Sequence, residues 1–273
     1  DVLKFPLSKI ILNGPKNDLD STINTQPAIF LISFSIFEII KKEFNINLNQ
    51  AKYFAGHSLG EYSALSTCGY LSFSDTLKLL RIRGDAMQNA FPNGEGGMIA
   101  ILGSNIDLIE SILNDSSEDI KAQIANDNTE GQIVCSGKNS DLEKFVTVLK
   151  SQNIKHMKLP VSAPFHCNLM NNATEIMKKE IKKTLFNSGY NKLISNVTAN
   201  EIQSTDELKK LLIDQIESRV RWRESVINMI NEGVNQFIEI GPGKVLSGLV
   251  KRINRDVKID TINSQTDIKN IKI

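Results

Sequence analysis

Two glycines around one serine constrain this chain more than any other stretch. Gly56-His57-Ser58-Leu59-Gly60 follows the short apolar run Tyr53-Phe54-Ala55 and precedes Glu61-Tyr62-Ser63-Ala64-Leu65, a helix-forming sequence. A serine at the tip of a sharp strand-to-helix turn is held in a strained backbone conformation, and flanking glycines let strand and helix approach each other. Such a turn predicts a buried strand over 53–56, a helix over 60–67 and an α/β protein around them. Ser58 Oγ then projects from the tip as a candidate nucleophile, and the helix N-terminus beyond it favours developing negative charge. The Leu59 amide, next after the nucleophile, is the natural oxyanion donor. The competing reading is a glycine-rich turn around a buried serine.

Helix and strand patterns alternate along the rest of the chain, as in α/β folds. Pro27 to Phe44 reads as a helix with Thr25 as its cap, and Ser74 to Met87 as another capped by Ser74. Pro92 to Gly97 is a Pro/Gly-rich break. Beyond it come strands at Met98–Leu102, Lys121–Asn126, Gln132–Ser136 and Ile154–Val161, with helices at Ile106–Leu113 and Leu142–Ser151. A turn over Asp127–Gly131 joins the two middle strands. This β-α-β-β-α-β order is the signature of a ferredoxin-like unit. The expected organisation is an α/β-hydrolase-like domain of residues 1–90 and 163–273, with a parallel sheet, and an inserted ferredoxin-like domain of residues 91–162. In the third segment, helices are expected at Leu169–Phe186, Glu207–Ile216, Arg223–Asn231 and Val245–Ile253. Strands are expected at Leu193–Val197, Asn235–Ile240 and Lys258–Ile262.

A serine at its ordinary pKa is a poor nucleophile and needs a base. The chain has three histidines. His57 adjoins Ser58 and is expected to point away from it. His156 sits mid-strand in Lys155-His156-Met157-Lys158, a surface position. His166, in Ser162-Ala163-Pro164-Phe165-His166-Cys167, follows a strand end in a proline-containing loop, where such sites are built, and is the candidate base. Arg83, in Arg81-Ile82-Arg83-Gly84, is by its chemistry a solvated surface cation unless the substrate carries a free carboxylate, which a guanidinium grips as a bidentate fork. The balance of 32 basic and 31 acidic residues argues against nucleic acid or a membrane surface as the main partner. Cys68, Cys135 and Cys167 are too few and too widely spaced for a disulfide framework or a zinc knuckle, so no metal is expected. The richest apolar run, Ala28–Ile40, is interrupted by Ser33, Ser35 and Glu38 and falls short of a membrane span. No signal peptide is visible, which suggests the cytoplasm.

Four motifs, in order, resemble the malonyl-CoA:acyl-carrier-protein transacylases of bacterial fatty acid synthesis. They are Gly56 to Leu65; Arg83-Gly84 with Met87-Gln88; Ser162 to Cys167; and Val220-Arg221-Trp222 with Glu239-Ile240-Gly241-Pro242-Gly243-Lys244-Val245-Leu246. Thr25-Gln26-Pro27-Ala28 and Gly131-Gln132-Ile133-Val134 are similar as well. The resemblance implies the two-domain fold already read, and a Ser58–His166 dyad that carries malonyl as an ester between coenzyme A and the phosphopantetheine thiol of acyl carrier protein. It implies that Arg83 holds the malonyl carboxylate and that the backbone carbonyl of Gln215 orients His166. It also implies a monomer that takes malonyl-CoA as substrate and keeps no resident cofactor. The family opens with a strand and a glycine-rich loop whose glutamine supplies a second oxyanion amide. Asp1 is expected to fall inside that start, and Phe5-Pro6-Leu7-Ser8 lacks the glycines of the loop. The chain is thus either a fragment or lacks that strand.

Three other readings share these residues: a serine esterase or thioesterase, an acyltransferase domain of a polyketide synthase, and a binding module with an inactive site. Arg83 separates the first of them, since a carboxylate clamp suits malonyl and not a neutral acyl chain. Because acyl carrier proteins are generally acidic, Lys251, Arg252 and Arg255, or Lys155 and Lys158, are candidate docking patches if either lies near the Ser58 mouth, and solvated faces otherwise.

Overall fold

The computed structural model describes residues 2–161 and 163–271. Two short helices, α1 (Leu7–Asn13) and α2 (Lys16–Asp20), lead into the long helix α3 (Thr22–Glu43). The strand β1 (Tyr53–Phe54) then turns through Ser58 into α4 (Leu59–Thr67), followed by α5 (Phe73–Gln88). The ferredoxin-like insert comprises β2 (Gly96–Leu102), α6 (Ile106–Asp115), β3 (Gln123–Thr129), β4 (Gln132–Lys138), α7 (Asn139–Ser151) and β5 (Lys155–Lys158). The chain returns through α8 (Asn171–Lys183), β6 (Lys192–Leu193), α9 (Thr205–Asp214), α10 (Trp222–Asn231), β7 (Gln236–Ile240), α11 (Val245–Ile253), β8 (Lys258–Ile262) and α12 (Gln265–Asn270).

The insert forms an antiparallel sheet in the order β3-β4-β2-β5. Period-two alternation gives that sheet two buried faces. Ile99, Ile101, Ile133 and Cys135 pack under α6 and α7, together with Ile109, Ile112, Phe145 and Leu149. Met98, Ala100, Ala125 and Val134 face the opposite way, against Phe165. That second face is the one that matters for the site, because it packs against the residue preceding His166.

The large domain departs from a single continuous parallel sheet. Its strands form two parallel pairs, β1 with β6 and β7 with β8. A cavity of about 800 Å³, lined by Phe34, Phe37, Phe54, Leu59, Trp222 and Phe237 among others, lies between β1 and β7. Strands β1 and β6 have two residues each, against the longer strands expected over 53–56 and 193–197. Beyond Leu193 the chain turns back on itself: Ile194 bridges Glu201, and Ser195 and Asn200 are joined by a backbone hydrogen bond.

Several element boundaries differ from the sequence reading for identifiable reasons. Helix α3 begins at Thr22, not Pro27, and runs through the proline. Proline has no N–H to donate four residues back, and Arg81 Nη1 donates to the Ile23 carbonyl instead, at 3.2 Å. Thr25 caps nothing; its hydroxyl donates to the carbonyls of Leu19 and Ser21. By length and composition α3 is apolar enough to cross a membrane, contrary to the reading of Ala28–Ile40 as too interrupted. It is a core helix here: Phe30 belongs to one apolar cluster, and Phe37 and Ile40 to another. Helix α5 is capped by Ser72, whose side chain accepts from the Asp75 amide, rather than by Ser74. Helix α8 spans 171–183 and not 169–186, after a single tighter turn at Asn168–Met170. Strand β5 is shorter than expected, and α1, α2 and α12 are short helices that the apolar pattern does not mark.

Strand β3 shows most clearly where composition misleads. Asp127, Asn128 and Thr129 read as a turn, yet they lie in the strand and are buried. The side chains of Asp127 and Asn128 find partners on the large domain. Arg223 Nε donates to both Asp127 carboxylate oxygens at 3.0 Å, and Asn128 Oδ1 lies 2.9 Å from His57 Nε2. The Asp127 amide donates to the Val220 carbonyl and the Val220 amide to the Ala125 carbonyl, so one β-type bridge crosses between the domains. The Asp127 side chain is 1% exposed. Arg223→Ala would leave a buried carboxylate without its counter-ion and should cost about 3 kcal/mol. Denaturant unfolding of the two proteins measures it, and a loss under about 1 kcal/mol, the value of an exposed pair, would mean that the bridge is not structural.

Candidate active site

Ser58 precedes the first residue of α4 with φ +52° and ψ −110°, a conformation that L-residues rarely adopt. Gly56 makes the turn feasible, since a Cβ there would lie 2.0 Å from the Gly60 carbonyl oxygen. Gly60 itself faces open space, so of the two flanking glycines only Gly56 is required by close approach. The parallel pairing of β1 with β6 brings Asn196 beside the turn. Its Oδ1 accepts from the Ser58 amide at 2.7 Å and its Nδ2 donates to the Gly56 carbonyl at 2.7 Å, tying both arms of the turn together. Leu59 opens α4, so its amide belongs to the unsatisfied first turn of a helix.

His166 sits 2.8 Å from Ser58 Oγ through Nε2. Its other ring nitrogen, Nδ1, lies 2.9 Å from the Gln215 backbone carbonyl, which can only accept. That contact places the proton on Nδ1 and leaves the Nε2 lone pair facing the serine. Gln215 presents the carbonyl because α9 ends at Asp214. His166 is itself in the left-handed region, φ +59°, held by Phe165 against the insert. Burial, and then the Arg83 charge, push its pKa down to about 3, so the imidazole is neutral and able to accept a proton at neutral pH. Ser162, the first residue of this motif, lies outside the described residues.

Arg83 is not a surface cation; it is 1% exposed. Gly84 lets α5 press against the start of α3, where a Cβ would come within 2.7 Å of Ile23 Cα. This brings the guanidinium to Gln26, whose Oε1 accepts from Nη1 at 2.7 Å. Nη2 donates to Gln215 Oε1 at 2.9 Å and to Ser58 Oγ at 3.1 Å. The guanidinium also lies over the buried Tyr62 ring, 5.5 Å from its centroid. A cationic fork thus stands within hydrogen-bonding distance of Ser58 Oγ, the candidate nucleophile, and can take up an anion there.

All five residues expected at the site, Ser58, Leu59, Arg83, His166 and Gln215, converge. Three more take part that the sequence did not single out as site residues: Gln26, Glu61 and Asn196. Gln26 and Glu61 fall inside quoted motifs, but nothing in residue type marked them as partners of Arg83 and Gln215. His57 points away from Ser58, toward Asn128 and Trp222, and burial lowers its pKa. His156 lies on β5, with Nδ1 against the Ile154 carbonyl. A cleft of about 700 Å³ between the domains reaches His166, lined in part by Lys121, Glu110, Glu217, Arg219 and Arg221. Neither expected basic run lines it: Arg252 is bonded to Gln132 across the domain boundary, and Lys155 and Lys158 lie on β5. Among the described residues no three His, Cys, Asp or Glu side chains come together as a metal site.

The arrangement is that of an acyl-transfer site, and comparison with known proteins agrees. The chain matches the acyl transferase domain family over residues 1–270. It is 40% identical over 271 residues to a malonyl CoA-acyl carrier protein transacylase of Bacillus subtilis (strain 168), covering 98% of this chain and 84% of that protein. The crystal structure of an acyl-carrier-protein-S-malonyltransferase from Bartonella henselae superposes with a TM-score of 0.95 at 41% identity, covering 98% of this chain and 86% of that one. A malonyl-transacylase solved in complex with its type II PKS acyl-carrier protein superposes with a TM-score of 0.94 at 32% identity, covering 98% and 86%.

The depressed pKa of His166 is directly measurable. The unfolded chain takes up this proton near 6.5 and the folded chain only near 3, so folding is progressively disfavoured by this group as pH falls through that interval. Nitrogen-15 NMR of the His166 ring should report a neutral, Nδ1-protonated imidazole from pH 8 down to pH 5. A positively charged ring above pH 6 would contradict the assignment.

Proposed function

The chain belongs to the malonyl CoA-acyl carrier protein transacylase family, and on that premise we propose that its malonyl group is carried as an ester on Ser58. The enzyme moves malonyl from coenzyme A to the phosphopantetheine thiol of acyl carrier protein. The observation that carries the site assignment is the buried Arg83 guanidinium, 3.1 Å from Ser58 Oγ. It provides a counter-charge for the free carboxylate of malonyl at the end of the acyl group distal to the thioester.

Ser58 Oγ attacks the thioester carbonyl carbon while its proton passes to His166 Nε2. The Gln215 carbonyl holds the imidazolium that forms, through Nδ1–H. The tetrahedral oxyanion lies against the Leu59 amide at the N-terminus of α4. Collapse breaks the carbon–sulfur bond, and the proton on His166 goes to the departing coenzyme A sulfur. In the second half-reaction the carrier's thiol gives its proton to His166 and attacks the Ser58 ester. Collapse then returns that proton to Ser58 Oγ and releases the malonyl thioester. The cleft reaching His166 admits the pantetheine arm of both thiols. Both half-reactions are acyl transfers in which His166 carries the proton between Ser58 Oγ and the thiol sulfur, and they require no resident cofactor. We place them in the cytoplasm, on a monomer, with the insert bounded by residues 91 and 162.

Intact-protein mass spectrometry after mixing with malonyl-CoA should show one malonyl adduct, mapped to Ser58 and discharged by carrier protein. Ser58→Ala should show none. In Arg83→Ala, kcat/KM for malonyl-CoA should fall by roughly 100-fold, the value of hydrogen bonds to a charge, while acetyl-CoA becomes a better substrate. An unchanged malonyl preference in that variant would remove the carboxylate assignment.

A further inference from the structure

Glu61 lies on the first turn of α4, fully buried, and none of the chemistry above uses it. Its Oε2 accepts from Gln215 Nε2 at 2.6 Å and from the Asn196 amide at 3.2 Å. The same Gln215 Nε2 donates to the Ser58 carbonyl at 3.1 Å, while the Oε1 at the other end of that amide accepts from Arg83 Nη2 at 2.9 Å. We propose that Glu61 is a positioning residue, which locks the direction of the Gln215 side-chain amide and through it aims Arg83 at the acyl group on Ser58.

A side-chain amide has one donor end and one acceptor end, nearly identical in shape. Turned around, Gln215 would set its NH2 against the guanidinium, donor to donor, and its oxygen against two acceptors, the Glu61 carboxylate and the Ser58 carbonyl. Oε2 already accepts from the Asn196 amide and can only accept from Gln215 as well, so Glu61 makes the turned state costly, whereas an amide in its place could turn its own NH2 toward Gln215 at the loss of the Asn196 hydrogen bond. The negative charge also sits where it compensates a buried guanidinium. Burial pushes the Glu61 carboxyl up to about 7, with Gln215, Asn196 and Arg83 pulling the other way, so the group is part-ionised at neutral pH and it is the two bonds accepted by Oε2 that fix its direction. Gln215 thereby serves both functional groups of the site, His166 through its backbone oxygen and Arg83 through its side chain.

The inference rests on the malonyl-transfer reading, and the experiment separates the two. Glu61→Gln keeps the volume and removes the one-way acceptor. The expected result is a fall of roughly 10-fold or more in kcat/KM for malonyl-CoA, mainly through KM, the loss of an oriented bond to a charged group. Acetyl-CoA turnover and labelling of Ser58 by an uncharged alkyl fluorophosphonate should stay within about 3-fold of wild type, because neither presents a carboxylate to Arg83. An unchanged malonyl-to-acetyl ratio would overturn the proposal, as would an equal loss of malonyl transfer and fluorophosphonate labelling, which would place Glu61 in the support of the turn as a whole. If wild type itself forms no malonyl adduct on Ser58, the functional reading fails instead. Neutron diffraction of the wild-type protein depends on no variant. Deuterons on the Gln215 nitrogen should point at Glu61 and the Ser58 carbonyl, and the opposite orientation overturns the proposal.

Discussion

A guanidinium taken out of water is the constraint around which this site is arranged. Arg83 is 1% exposed and stays charged. Its ion costs several kcal/mol to bury unless hydrogen bonds and counter-charge replace the lost hydration. Gln26 and Gln215 supply acceptors, Ser58 Oγ lies 3.1 Å from one terminal nitrogen, and Glu61 brings negative charge behind Gln215. The same charge helps hold His166 neutral, the state a general base needs. One buried cation therefore stands beside the serine hydroxyl and lowers the basicity of its histidine at the same centre, and in the function proposed it is also what selects a carboxylate-bearing acyl group.

The two-domain construction serves this centre. His166 hangs from the segment that leaves the insert, and its neighbour Phe165 packs on one face of the four-stranded sheet. Ser58 and Arg83 belong to the large domain. Had the domains been free to hinge, the 2.8 Å contact between Ser58 and His166 would open with them. The Asp127–Arg223 pair, the Asn128–His57 contact and the Val220 bridge oppose that motion, with a buried polar strand as the fastener.

Local chemistry accounts for the parts of the fold that the sequence made legible. The turn at Ser58, the ferredoxin-like order of elements and the helix over 245–253 follow from glycine placement and apolar period, which act over a few residues. Where those signals were overruled, the winner was a distant partner. Pro27 should start a helix, but Arg81, more than fifty residues on, satisfies the carbonyl that proline leaves open. Asp127 to Thr129 should be a turn, but the Asp127 and Asn128 side chains are met by Arg223 of α10 and His57 of the serine turn, and so tolerate burial in a strand.

The site divides along the same line. Sequence by itself marked the candidate nucleophile, its turn, the candidate base and the candidate Leu59 oxyanion amide, because each is flagged by its own neighbours. Arg83 and Gln215 were legible only through family resemblance, and Gln26, Glu61 and Asn196 not as site residues at all. Their roles lie in which amide end faces which charge, across separations of up to 154 residues. Residue type states what a side chain can donate or accept; only the packing of α3, α4, α5 and the end of α9 decides which partner it meets, and hence that a buried arginine faces the serine.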